Sequence, residues 1–379
     1  MRAVVISRVY INPALRGKLR SLAGMGCAIA VAVPEHWNQP ITGGALSAIW
    51  GDDAGVRIVP VKVRTLGGHN GGAVWDRSTL RKLLRDFRPD VLQIEEEPWS
   101  QVASVATRLS VRMKIPPVLF SAESIVRTYP LAQRWRRARS VKRAAGFLGE
   151  NKLAASLLSR GRSDVPAGII PQLGVSIPRM LTPVPHQRFT IGFVGRLVPE
   201  KGLDILLRAA VRLQGNWDLI VVGSGPAQEE LEGLAERLGI ASRLSWMGAL
   251  PPEELSSIWP RLDALALPAR TTRQWVEAHG RAVVEAMGFG IPVVGSASGA
   301  LPEIIGSAGL VVMEDDVPAL TDALQELINS PPRRVAFAQE GRRRVMSEYV
   351  DAAIARKTLA FWRTVSGKPE PRAGSPPAG

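Results

Sequence analysis

Arg196 and Lys201 stand five residues apart in the turn GRLVPEKG (195–202), between an apolar run and a helical pattern. Glu277 and Glu285 stand eight apart in VEAHGRAVVEAMGFG (276–290). Two fixed cations beside a helix start make a seat for a diphosphate, because the free N–H groups and dipole of the helix add to their charge. The same cations would offset negative charge growing on a leaving nucleotide. Carboxylates accept hydroxyl hydrogen bonds in fixed geometry, each charged bond contributing roughly 1.5–3 kcal/mol. With a helix starting near Gly280, the amides of Gly280 and Arg281 would meet a phosphate. Glu277, in the loop, would then hold sugar hydroxyls, and Glu285, facing the same crevice, ribose hydroxyls. Each pair alone has a plainer reading: solvated cations in a turn, a surface glutamate and an ordinary helix glutamate.

The elements that must position these residues recur along the chain. In the first half, apolar runs at 2–7, 28–33, 57–63, 90–94 and 117–120 alternate with helical patterns such as Leu15 to Leu22 and Ser78 to Phe87. That alternation predicts parallel βαβ units. The second half starts over with runs at 189–195, 218–223, 243–248, 262–268 and 291–296, each ending in a turn and a helical pattern. Continuous apolar runs that end in Gly or Pro describe strands buried on both faces, hence a second doubly wound sheet. The expected organisation is a domain over 1–176, a Pro-rich linker at 177–188, a second domain over 189–349, a helix at 350–367 packing back on the first domain, and a disordered Pro/Gly tail at 368–379. The ligand site is expected in a cleft between two Rossmann-like domains.

Composition narrows the function classes. Lys and Arg number 48 against 34 Asp and Glu, a net charge of +14 that favours anionic partners. Seven of the cations crowd into VRTYPLAQRWRRARSVKR (126–143), a segment without an acid. As a helix, Arg127 to Arg143 with Leu131 and Trp135 suits an anionic membrane surface, and equally well a solvated basic helix. The single Cys27 excludes a disulfide framework and reads as a buried thiol. No apolar stretch has the length of a membrane span or signal peptide, so a cytoplasmic protein is expected. His36 and His69 are placed in loops and His186 in the linker. No HxxH, CxxC or clustered Asp triad offers a metal site, and GxGxxG and Walker patterns are absent.

GRLVPEKG, VVGSGP (221–226), the Glu277 to Glu285 segment and GIPVVGSASGALPEII (290–305) resemble, in order and spacing, the retaining GT-B glycosyltransferases of family 4. The resemblance covers nearly all of the second half. It implies the α/β GT-B fold and a UDP- or GDP-sugar donor. Gly195, Arg196 and Lys201 would meet the donor diphosphate, Glu277 the transferred sugar, Gly280 and Arg281 a phosphate, and Glu285 the ribose. His279 stands where relatives carry an aromatic, as a packing group or a spacer. No metal or other cofactor is expected, and front-face attack would retain anomeric configuration without a protein nucleophile. The acceptor would be a glycan or lipid-linked molecule of cell-surface or extracellular polysaccharide synthesis, reached at the inner face of a membrane.

The first half departs from that pattern. Relatives have a Gly-Gly loop after the first strand, whereas YINPALRGKLRSLAGMG (10–26) has only Gly17 for that turn. Asn12, Arg16 and Lys18 beside it would line the acceptor side, or form a basic first helical turn. Where many relatives carry a His near the acceptor, FSAES (120–124) puts Glu123, which would bind hydroxyls, act as a base or cap a helix. The run Glu95, Glu96, Glu97 also ends a strand and would touch acceptor hydroxyls. Two rival readings share the residues: a phosphorylase or nucleotide-sugar epimerase of the same architecture, and a basic polyanion-binding protein. For the second, charge is the sole argument, and no specific nucleic-acid recognition is expected, since no such signature occurs.

Overall fold

The computed structural model describes residues 1–38, 44–65, 73–177 and 187–368. His69, His186, most of the expected linker and the tail from Pro369 lie outside them. The chain divides into two compact units, Met1–Gly174 with Asp351–Gly379, and Val175–Val350.

In the first unit an eight-stranded sheet runs Ala167–Ile169, Gly146–Gly149, Pro117–Ser121, Val91–Ile94, Arg2–Ile6, Ala28–Pro34, Val56–Val61 and Gly51–Asp53. All neighbours are parallel except the last pair, an antiparallel hairpin edge that alternation in the sequence did not announce. Every residue of Val91–Ile94 and Pro117–Ser121 is buried, as central strands of a two-face-covered sheet require. Two separate cores form, one on each face. The helix Gly17–Gly24 packs against Asp351–Ser366, so the end of the chain completes this unit. Trp362 is buried there and its indole donates to Gln93 Oε1 at 2.6 Å. His36 begins a short strand, His36–Asn38, and its ring meets Ser47 Oγ at 2.8 Å, which corrects its placement in a loop.

In the second unit the sheet order is Leu244–Trp246, Trp217–Val222, Phe189–Val194, Ala264–Leu267, Val293–Ser296 and Gly309–Val312, all parallel. In chain order this is 3-2-1-4-5-6, the Rossmann arrangement, wrapped around one core. Connections leave Phe189–Val194 and Ala264–Leu267 in opposite directions, so their carboxyl ends open a crevice where ligands bind in such sheets.

Candidate functional site

The two loops that flank this switch point, 195–202 and 268–280, carry Gly195, Arg196, Lys201, Glu277, His279 and Gly280, and the helix that follows carries Arg281 and Glu285. The first loop is held against its neighbour strand: Gly195 N–H donates to Val222 O at 3.0 Å, Leu197 N–H to Ser224 O at 2.9 Å, and Ala227 N–H to Leu197 O at 3.1 Å. Gly223 has φ +140°, and a Cβ there would run into Gly195 O. Gly202, at φ +72°, ends the single 3-10 turn Pro199–Lys201 and starts the helix Leu203–Ala210. A side chain at that position would meet Pro268 O, so the two loops interlock through their backbones.

Arg270 fastens the second loop to the first. Its guanidinium takes both oxygens of Asp204, at 2.9 and 2.6 Å, and donates to Pro199 O at 3.0 Å and Asp315 Oδ1 at 2.5 Å. Thr271 then binds Glu314 through its amide at 2.7 Å and its hydroxyl at 2.6 Å. Neither residue stood out in the sequence, where an Arg followed by a Thr carries no signal.

Glu277 is the centre of the arrangement. Its Oε2 pairs with the Lys201 ammonium, which also lies over the Trp275 ring at 5.2 Å. Its Oε1 accepts the Gly280 N–H at 3.1 Å, and its carbonyl accepts the Ala300 N–H at 2.7 Å. The side chains of Lys201 and Glu277 are only 16% and 5% exposed. Gly299, at φ +53°, abuts the Glu277 carbonyl so closely that no Cβ fits. The helix Arg281–Gly288 begins after Gly280, at φ +52°. The Gly280 amide is therefore spent on Glu277, which corrects the expectation that it waits for a phosphate. Arg281 Nε donates to Glu285 Oε1 at 2.7 Å, one turn apart on the half-exposed edge of that helix. Glu285 Oε2 has no partner among the described residues. Arg196 is exposed and makes no ion pair or side-chain hydrogen bond with any of them. His279 is exposed. The unit thus gathers a paired Lys–Glu couple, an unengaged Arg and a second carboxylate at one switch point, suited to a ligand with phosphates and hydroxyls.

The first-unit candidates fare differently. Arg16 is buried, donating to Tyr10 O at 2.7 Å, Ile11 O at 3.1 Å and Asp53 Oδ2 at 2.9 Å. Lys18 pairs with Glu95 at 2.6 Å, with both side chains almost wholly enclosed. Burial needs this pairing, since an unpaired ammonium inside would be strongly disfavoured. Both are internal braces, which corrects their placement in an acceptor-side lining. A Cβ on Gly17 would collide with the Asp351 carboxylate, so its glycine serves the packing of the last helix. Asn12 caps a 3-10 turn by accepting the Ala14 N–H at 3.0 Å. Of the acidic run, Glu95 also takes Gln93 and Gln172, and Glu96 binds Arg8. Glu97 accepts from Ser121 Oγ at 2.6 Å and Ala122 N at 3.0 Å, and burial, then the nearby Glu123 charge, pushes its carboxyl up to about 7. Glu123 caps no helix. Its carboxylate accepts from Trp99 Nε1 at 2.9 Å and from the Tyr129 hydroxyl, in a stretch without helical structure. Cys27 is buried, and burial raises its thiol.

Comparison with known proteins bears on the second unit and on the fold. Residues 182–344 match the family Glycosyl transferases group 1. That stretch is a group 1 glycosyl transferase domain of GT-B type. The whole fold is GT-B as well. It is similar to sucrose-phosphate synthase from Thermosynechococcus elongatus, with TM-score 0.70, 17% identity, and 97% of this chain and 99% of that one covered. It is also similar to Anabaena HepE in complex with UDP, with TM-score 0.71, 16% identity, and coverage of 96% and 100%. In sequence, the chain is 37% identical over 156 residues to a GDP-mannose-dependent alpha-(1-6)-phosphatidylinositol monomannoside mannosyltransferase of Mycolicibacterium smegmatis, covering 39% of this chain and 41% of that protein. It is 33% identical over 198 residues to a D-inositol 3-phosphate glycosyltransferase of the same organism, covering 50% and 44%. The match thus spans less than half the length of these relatives.

Proposed function

We propose that the protein is a glycosyltransferase that moves a hexosyl group, with mannose from GDP-mannose the first candidate, to a lipid-linked or glycan acceptor of the cell envelope. The observation that carries this is the Lys201–Glu277–Gly280 couple at the switch point of a group 1 domain. The GDP-mannose-dependent and inositol-phosphate-using relatives support GDP-mannose and an inositol-bearing acceptor. In this reading Lys201 and Arg196 bind the donor diphosphate, Glu277 the sugar hydroxyls and Glu285 the ribose. The bond from the anomeric carbon to the phosphate oxygen breaks as the acceptor oxygen bonds the same face of that carbon, and the acceptor proton passes to the departing phosphate. Configuration is retained, no protein nucleophile forms, and the two cations offset the charge that grows on the leaving group without a metal. His279, exposed beside Gly280, packs at the donor sugar.

Among the described residues no helix is long and apolar enough to cross a membrane. The helix Leu131–Arg143 presents exposed Leu131 and Trp135 among its cations, which supports contact with an anionic membrane surface. The test is turnover: purified protein with GDP-mannose and a mannosylated phosphatidylinositol acceptor is expected to release GDP in step with glycolipid product, whose anomeric proton reports retention. Absence of transfer from GDP-mannose and from UDP-sugars alike, with intact folding, would reject the reading.

A further inference from the structure

A pocket of about 320 Å3 opens in the first unit, apart from every residue assigned to the donor. Four segments build it: Pro98, the stretch Ser121 to Tyr129, the helix Leu131–Arg143 and the end of the helix Lys152–Ser159. Arg127, Arg134, Arg137 and Arg160 line it, with Glu123 on the same wall. Arg134 and Arg160 are exposed and make no ion pair or side-chain hydrogen bond with a described residue. Arg137 spends one Nη on Leu157 O at 2.8 Å, and Arg127 Nε stands 3.8 Å from Glu123 Oε1. A second, more open depression shares Arg137 and Arg160 with it and adds Lys142, while Arg162 on its wall is paired with Asp164 at 2.8 Å. Cations gathered with so few counter-charges repel one another, and a bound anion would relieve them.

The chemistry of the lining narrows the anion. Guanidinium forks match phosphate oxygens in pairs. The aromatic rings here form no row for stacking bases: Trp99 and Tyr129 stand tilted to each other at 6.1 Å, and Arg139 covers one face of Trp135 at 3.5 Å. A nucleic acid thus finds charge without a stacking platform. A carboxylate among arginines is ill suited to a bare anion, but it accepts hydroxyls. Trp99 and Tyr129 each donate to one oxygen of Glu123 and fix the carboxylate in place, with lone pairs left on each oxygen. Val126 in the lining and Leu131 at the helix start are 76% and 81% exposed, an apolar border beside the charged opening.

We propose that this pocket binds the phosphate ester of a polyol, the arginines taking the phosphate and Glu123 the hydroxyls, and that it selects a phosphorylated acceptor headgroup. The selection rests on the transferase reading above; the binding does not. Calorimetry on the full chain would compare myo-inositol 1-phosphate, inorganic phosphate and myo-inositol. Sedimentation would compare phosphatidylcholine vesicles with and without phosphatidylinositol or phosphatidylglycerol. The expected order is inositol phosphate tighter than phosphate, with inositol unbound. Arg134→Ala with Arg160→Ala is expected to weaken the ester at least tenfold at unchanged melting temperature and unchanged GDP affinity. Glu123→Gln is expected to erase the preference for the ester over phosphate. Selective capture of phosphatidylinositol vesicles over phosphatidylglycerol ones assigns the site to the lipid headgroup, and binding of the soluble ester alone assigns it to a free polyol phosphate. Either source sustains the proposal. Absence of both, or ester binding that survives the double substitution, would overturn it. Failure of GDP binding would strike the donor site and leave this result standing.

Discussion

Lys201→Met keeps the side chain that runs beside Gly195 and under the Trp275 ring while removing the ammonium that meets Glu277. In the proposed donor complex that ammonium supplies one charge-assisted bond to the diphosphate, worth about 1.5–3 kcal/mol, or about ten- to hundredfold in Kd at ~1.4 kcal/mol per decade. Glu277 already holds the ammonium, so part of the gain on binding is given back. The expected loss for GDP is therefore at the lower end, about tenfold. GMP, without the second phosphate, should change far less. Glu277→Gln has the opposite logic. It keeps an acceptor for the Gly280 N–H, frees the ammonium for phosphate, and removes the carboxylate that holds the sugar. GDP should bind as well as before or better, while transfer slows by about a hundredfold, the equivalent of roughly 2.7 kcal/mol. Calorimetry with GDP and GMP at fixed ionic strength, with single-turnover transfer, separates the two effects. Equal losses for GDP and GMP in Lys201→Met, or a GDP loss in Glu277→Gln matching that in Lys201→Met, would show that the pair only braces the loops.

Four other substitutions have defined outcomes. Gly299→Ala forces a Cβ against the Glu277 carbonyl at φ +53°, so stability should fall by about 1–3 kcal/mol together with GDP binding; an unchanged melting temperature would contradict the contact. Gly24→Ala, with open space around its Cβ, is the control and should change stability by less than about 1 kcal/mol. Lys18→Met strands the buried Glu95 and should lower stability by about 3–5 kcal/mol, much of it recovered when Glu95→Gln is added; a binding defect without a stability loss would restore Lys18 to the acceptor side. Glu97 is pushed up to about 7 by burial and then by Glu123, against the lowering effects of the Ser121 and Ala122 hydrogen bonds and Arg8. The folded state then holds its proton at a pH where the unfolded chain has lost it. Its contribution is full below the unfolded carboxyl pKa near ~4.3 and fades as pH rises towards 7. Glu97→Gln should flatten that decline in urea titrations at pH 5, 6 and 8, and an unchanged slope would refute the assignment.

Much of the second unit was legible in the sequence because its signals are local. Apolar runs buried on both faces give parallel strands. Glycines mark the positive-φ turns at Gly202 and Gly280, and the separation of Glu277 from Glu285 fixes which lies in the loop and which on the helix. The family pattern that joins these signals is carried by the same short segments, so it could be read without a fold.

What the tertiary structure decided are the partnerships between segments far apart in the chain. Lys201 meets Glu277 across 76 residues, Arg270 reaches Asp204 and Asp315, and Gly299 fits beneath the Glu277 carbonyl. None of these has a spacing that a sequence pattern could expose. The same cause misled the reading of Arg16 and Lys18. A charged side chain in a turn looks solvated or functional until the fold encloses it, and enclosure makes its hydrogen-bond partners, rather than its residue type, decide what it does.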